Sequence, residues 1–122
     1  MRARQALVII MPVKELDKST FPKKVLGHEG NAVVYFYAEW CSDCKRASPF
    51  MDAIAAKEKR AAFFKLDAQK FQGIADKFGV DYYPTIVFFK SGKDVGGHIS
   101  EPKAQRDIEE WLEAKFAPAS DS

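Results

Sequence analysis

Trp40-Cys41-Ser42-Asp43-Cys44-Lys45 holds both cysteines of the 122-residue chain, three positions apart. On a helical turn that spacing lets two sulfurs come within bonding distance, so the pair can alternate between dithiol and disulfide. Just upstream, Val33-Val34-Tyr35-Phe36-Tyr37-Ala38 is an unbroken apolar, aromatic and β-branched run. That composition suits a strand buried on both faces of a parallel sheet. Downstream, Ala47, Phe50, Met51, Ile54 and Ala55 recur at helical spacing. The cysteines therefore lie where a buried strand becomes a helix, with Cys41 at or just before the helix N-terminus. Free backbone N–H groups and the positive end of the helix dipole stabilise a thiolate there, and a thiolate is the attacking species in disulfide exchange.

Three blander readings compete with redox chemistry. A structural disulfide across so short a loop constrains the unfolded chain little. A structural zinc site needs four ligands, and the two histidines, His28 and His98, lack ligand spacing; no metal is expected. Two inert thiols would not call for C-x-x-C spacing at a strand-to-helix junction.

The chain has the length of one domain with a proper core, 1–122. Apolar residues make up 47% and charged residues 30%, an ordinary globular balance. The net charge of +2 is small and its cations are dispersed, so neither nucleic acid nor an anionic membrane is expected as a partner. No apolar stretch reaches transmembrane length. Arg2 and Arg4 before Ala6 to Met11 faintly imitate a signal peptide, but Pro12-Val13-Lys14 is no small-residue cleavage site. Residues 1–10 read as a possible N-terminal extension, with signal peptide as the alternative. With one C-x-x-C and no disulfide framework, a reducing cytoplasm is the expected compartment.

In order, residues 7–15 read as a first strand. Ser19 or Asp17 caps a short helix through Val25, anchored inward by Phe21 and stopped by Gly27. The buried strand over 33–38 follows, then a helix over about 42–59, interrupted by Pro49. A strand over 62–66, closed by Asp67, precedes a short helix over 71–78. Thr85 to Phe89 form a strand, and Ser91-Gly92 turns it into a partner over 94–99. Gly96-Gly97 in that partner hints at a bulge. Ser100 caps a last helix with inward stripe Ala104, Ile108, Trp111, Leu112 and Phe116; Trp111 reads as core. Residues 117–122 read as a flexible tail. The fold class is α/β: a central mixed five-stranded sheet flanked by four helices.

Ala38-Glu39-Trp40-Cys41, Lys45 and Tyr83-Pro84-Thr85, in that order of elements, resemble the thioredoxin family. The resemblance runs from about residue 13 to 116. Pro49, Lys65, Gly92 and Phe21 match its helix-bending proline, strand lysine, turn glycine and aromatic anchor. It implies the thioredoxin fold, a cis bond before Pro84, and a Tyr83 backbone that pairs with an extended substrate segment. It also implies a thiol-disulfide oxidoreductase, with Cys41 as nucleophile and Cys44 as resolving thiol. The expected role is disulfide reductase on disulfide-containing proteins, as a monomer. No cofactor is bound beyond the redox-active disulfide, and a flavin-dependent, NADPH-linked reductase restores it. Trp40, Tyr83, Pro84 and Ile99 are the expected substrate-binding residues.

Three departures from the family pattern qualify these expectations. Ser42-Asp43 replaces the usual Gly-Pro. The charge of Asp43 disfavours a nearby thiolate, while Lys45 and Arg46 oppose that effect, so the sign of the net shift is open. Tyr35 stands where the family places a buried acid, six residues before the first cysteine. Lys65 then lacks its usual partner, and Glu39, read as four residues along the same strand, is the candidate substitute acting through water; the alternative is a Lys65 that snorkels to solvent. Tyr83 is bulkier than the small β-branched residue common before the proline. Two other functional readings stay open: a disulfide oxidase or isomerase of an exported compartment, and a binding module with regulatory cysteines.

Overall fold

In a computed structural model, residues 13–117 are described. Ten elements follow one another: β1 (Val13–Glu15), α1 (Pro22–Leu26), β2 (Asn31–Tyr37), α2 (Ser42–Lys57), β3 (Ala62–Asp67), α3 (Gln72–Lys77), β4 (Thr85–Lys90), β5 (Lys93–Asp94), β6 (Ile99–Ser100) and α4 (Gln105–Phe116). The sheet runs β1-β3-β2-β4, and β5 and β6 both pair with β4. β1 and β2 lie parallel to β3, whereas β4 is antiparallel to β2. This is the expected mixed α/β sheet with four helices, with six strands rather than five.

β2 occupies the middle because both of its faces are apolar. Val34 and Phe36 point into a cluster with Phe21, Val25, Ala75, Val87 and Phe89, on the side of α1 and α3. Val33 and Tyr35 point the other way, toward Met51 and Ile54 of α2 and Ile108 and Leu112 of α4. Two-sided burial is what forces the parallel partner β3 and the antiparallel partner β4 onto its edges. β2 then ends at Tyr37, opposite Asp67 of β3, and delivers the chain to α2.

Several boundaries differ from the sequence reading, each for a local reason. Only Val13–Glu15 of the expected first strand is seen as strand; residues 7–12 and 118–122 lie outside the described residues. α1 is a π-helical turn, closed by Gly27 N–H donating to Pro22 O at 2.9 Å. Asp17, rather than Ser19, precedes it as the acceptor of the Ser19 and Thr20 N–H groups, both at 2.9 Å. α2 stops at Lys57, two residues early, where Glu58 turns extended and its carboxylate accepts Arg60 N–H at 2.7 Å.

The expected strand over 94–99 is broken into β5 and β6. Gly96 and Gly97 both adopt positive φ, +79° and +61°, which swings their carbonyls away from β4. α4 satisfies them: Lys115 Nζ donates to Gly96 O at 2.7 Å and Trp111 Nε1 to Gly97 O at 2.6 Å. Ser100 does not cap α4. Its hydroxyl bonds Thr85 Oγ1 at 2.7 Å instead, and Asp107 reaches back to accept the Lys103 and Ala104 N–H groups. Ala104 is the exposed N-cap residue and not part of the inward stripe.

Ser91 and Gly92 turn β4 into β5 with φ of +50° and +79°, the twist a two-residue hairpin requires. A Cβ on Gly92 would lie 2.1 Å from Leu26 O, on the backbone of α1. Gly92→Ala therefore combines a strained φ with a backbone clash. It is expected to destabilise the fold by about 2 kcal/mol or more, read as a lower urea midpoint at unchanged slope; an unshifted midpoint would show that the turn yields.

Candidate active site

Cys41 is the N-cap residue of α2. Its backbone is extended, at φ −85° and ψ 112°, and its Sγ accepts the Cys44 N–H at 3.1 Å. A side-chain acceptor at this position satisfies one of the N–H groups that a helix start leaves unpaired. Sulfur fills the place usually taken by a serine or aspartate oxygen, so nucleophile and helix cap are one atom. Cys41 O accepts Lys45 N–H at 3.2 Å, which begins the helical ladder. The two cysteines are not joined by a disulfide in this structure.

The Tyr83-Pro84 bond is cis, and Tyr83 O lies 3.7 Å from Cys41 Sγ as an acceptor for its thiol. Trp40 is 64% exposed and meets the Tyr83 ring edge-on, with centroids 6.0 Å apart. Its indole N–H donates to Gln69 Oε1. Cys41 itself is only 6% exposed, less open than a nucleophile at a helix mouth suggests. It forms part of the wall of a groove of about 480 Å³, whose other residues include Trp40, Asp43, Asp81, Tyr82, Tyr83 and Glu101. Ile99 is half-buried in the core cluster of α2 and α4 and is not among the groove residues.

Cys44 lies behind, on the first turn of α2. Burial, and then its hydrogen bond with Cys41, push its thiol up to about 12. Its carbonyl accepts the Tyr35 hydroxyl at 2.6 Å. Tyr35 thus fills the family's acid position with a donor to backbone, and burial holds that hydroxyl protonated well above its ordinary range. Tyr37 stacks on Tyr35 with centroids 6.0 Å apart and donates to Glu15 Oε2 at 2.7 Å. Lys65 finds a counter-charge that the sequence reading missed: Glu15 Oε1, at 3.9 Å. The register explains it, because Glu15, Lys65 and Tyr35 sit in one row across β1, β3 and β2.

Glu39 is not on β2, which ends two residues earlier; it is exposed in the loop before Cys41. With Lys45, Lys65, Tyr35 and Cys44 it lines a cavity of about 350 Å³ behind the resolving thiol. Asp43 is held by Arg46 at 3.0 Å, so part of its charge is offset before it acts on either sulfur. His98 bonds Asp94 at 2.8 Å. His28 lines a separate cavity of about 870 Å³ near the start of β3, at the far end of the sheet. Asp81 and Glu101 were missed as groove residues; Asp81 stands two positions before Tyr83, and that proximity was the available signal.

Disulfide exchange needs one sulfur that borders a substrate groove to attack and a second, held behind it, to finish the job. Cys41 and Cys44 divide in that way, and the class so defined is a thiol-disulfide oxidoreductase. The profile of the thioredoxin family matches residues 12–114. Thioredoxin of Echinococcus granulosus is 32% identical over 102 residues, covering 84% of this chain and 92% of that one. Protein disulfide isomerase-like 2-1 of Oryza sativa subsp. japonica is 31% identical over 110 residues, covering 88% of this chain but 30% of its own length. The solved thioredoxin of Malassezia sympodialis, Mala s 13, superposes with a TM-score of 0.77 at 25% identity, covering 91% of this chain and 96% of that chain. The chain belongs to the thioredoxin family.

The raised Cys44 thiol has a direct consequence. A group pushed up to about 12 stays protonated at neutral pH. In a Cys41→Ser variant, alkylation of Cys44 is therefore expected to climb steadily from about pH 7 to about pH 10 without levelling off. A plateau by about pH 8 would contradict the burial argument.

Proposed function

We propose that this chain works as a protein-disulfide reductase, and that the observation carrying the reading is the Cys41 sulfur seated as helix cap beside Tyr83 O. Cys41 thiolate attacks one sulfur of a substrate disulfide. A Cys41–substrate bond forms, the substrate S–S bond breaks, and the departing thiolate takes a proton from solvent. Cys44 then loses its proton and attacks Cys41. The internal disulfide forms, and the second substrate sulfur leaves. Two electrons have passed to the substrate.

The hydrogen bond from Cys44 N–H fixes the Cys41 sulfur at the helix mouth, where the dipole favours negative charge. The shielding of Cys44 delays its reaction until a mixed disulfide has formed beside it. An extended substrate segment lies along the Tyr83 backbone in the manner of an added strand. Trp40 and Tyr83 form the docking rim, and buried Pro84 sets the Tyr83 backbone behind it. A flavin-dependent reductase drawing on NADPH restores the dithiol, and the compartment is the reducing cytoplasm.

Cys44→Ser is expected to accumulate a mixed disulfide between Cys41 and one sulfur of disulfide-bonded insulin, released by added dithiol. Cys41→Ser is expected to lose disulfide reduction by a factor of roughly a thousand or more. A Cys44→Ser variant that turns over freely, with no adduct on a non-reducing gel, would remove Cys44 from the resolving role.

A further inference from the structure

The walls of the groove at Cys41 carry charge of one sign. Asp43, Asp81 and Glu101 line it, and no lysine or arginine does. Asp43 is engaged by Arg46; among the described residues no cation pairs with Asp81 or Glu101. The acidity is local, because the chain as a whole carries +2. It also reaches the ring beside the sulfur. The Tyr83 hydroxyl is raised first by burial and then by Asp76, Asp67 and Asp81.

Two further features suit a cation. Trp40 and Tyr82, each 64% exposed, present open aromatic faces in the same groove, and such faces attract ammonium and guanidinium groups. Glu101 is held at φ +51°, a left-handed conformation uncommon outside glycine and asparagine. Its N–H donates to Pro84 O at 2.7 Å. The Ser100 hydroxyl, one residue earlier, bonds Thr85 Oγ1 at 2.7 Å. The Glu101 backbone is thereby pinned to the cis-proline segment, and its carboxylate stays beside the path a substrate must take.

We infer that this groove selects protein disulfides flanked by lysine or arginine, with Asp81 and Glu101 as the specificity-determining carboxylates. The inference rests on the reductase reading of the same site. A basic side chain next to the reacting cystine places its charge between the two carboxylates and the two aromatic faces while the disulfide reaches Cys41. An acidic segment meets like charge at the same place and is disfavoured. The effect is electrostatic, on exposed groups, so it is screened by salt.

The test uses the full-length, pre-reduced protein and three disulfide peptides that differ only in the residues flanking the cystine: lysine, glutamine or glutamate. The second-order rate of protein oxidation is read from tryptophan fluorescence. At low salt the lysine peptide is expected to react about threefold to tenfold faster than the glutamate peptide, with glutamine between. That ratio is expected to shrink toward one at about 0.5 M salt and in the Asp81→Asn/Glu101→Gln double variant. Equal rates for the three peptides at low salt, or a ratio that survives in the double variant, would overturn the inference. The salt series on the unmodified chain decides the matter even if the double variant folds poorly. The glutamine peptide separates the two levels. If it oxidises the protein but charge makes no difference, only the specificity falls. If no peptide oxidises the protein, the reductase reading falls and the specificity with it.

Discussion

The hydrogen bond from Cys44 N–H to Cys41 Sγ, 3.1 Å long, joins the fold to the chemistry. It is at once the N-cap of α2 and the contact that fixes the attacking sulfur. An oxygen cap is worth about 1 kcal/mol to a helix, and sulfur, a weaker acceptor, contributes less. The larger effect of the bond is positional: it ties the sulfur to the one place where a helix offers unpaired N–H groups and the positive end of its dipole. The rest of the site follows from what holds that helix end still. β2 is buried on both faces and cannot shift. Its last residues carry the chain directly to Cys41, and the Tyr83-Pro84 segment closes the other side.

The same burial separates the two thiols. Cys44 points back toward the sheet, where Tyr35 bonds its carbonyl and desolvation opposes its ionisation. Cys41 borders the groove instead. Two chemically identical side chains thereby acquire different surroundings from position alone. With a tyrosine at the acid position, the polar chain behind Cys44 runs through different residues. Tyr35 holds the helix backbone, Tyr37 bonds Glu15, and Glu15 faces Lys65.

The sequence carried the core of this account because its strongest signals are local. Val33 to Ala38 read as a buried strand from composition alone, and C-x-x-C at its end read as a redox pair. The order of elements followed from periodicity. Other features escaped for physical reasons. Ser100 looked like a helix cap, but a hydroxyl across the sheet, Thr85 Oγ1, competes for it. The break between β5 and β6 depends on α4 satisfying the Gly96 and Gly97 carbonyls, a contact between elements far apart in sequence. Glu15 became the partner of Lys65 only through strand register, which no single segment encodes. Asp81 and Glu101 converge on the groove from two separate loops, and their shared sign of charge is invisible until the chain is folded.

The direction of electron flow is the claim on which the functional account depends most. The equilibrium potential of the Cys41–Cys44 couple, titrated in a glutathione buffer and read from the fraction of free thiol, measures it. A reductase requires a value at or below about −230 mV, so that the dithiol gives its electrons to substrates in a reducing compartment. A value at or above about −180 mV would mark the pair as an acceptor of electrons and contradict the account.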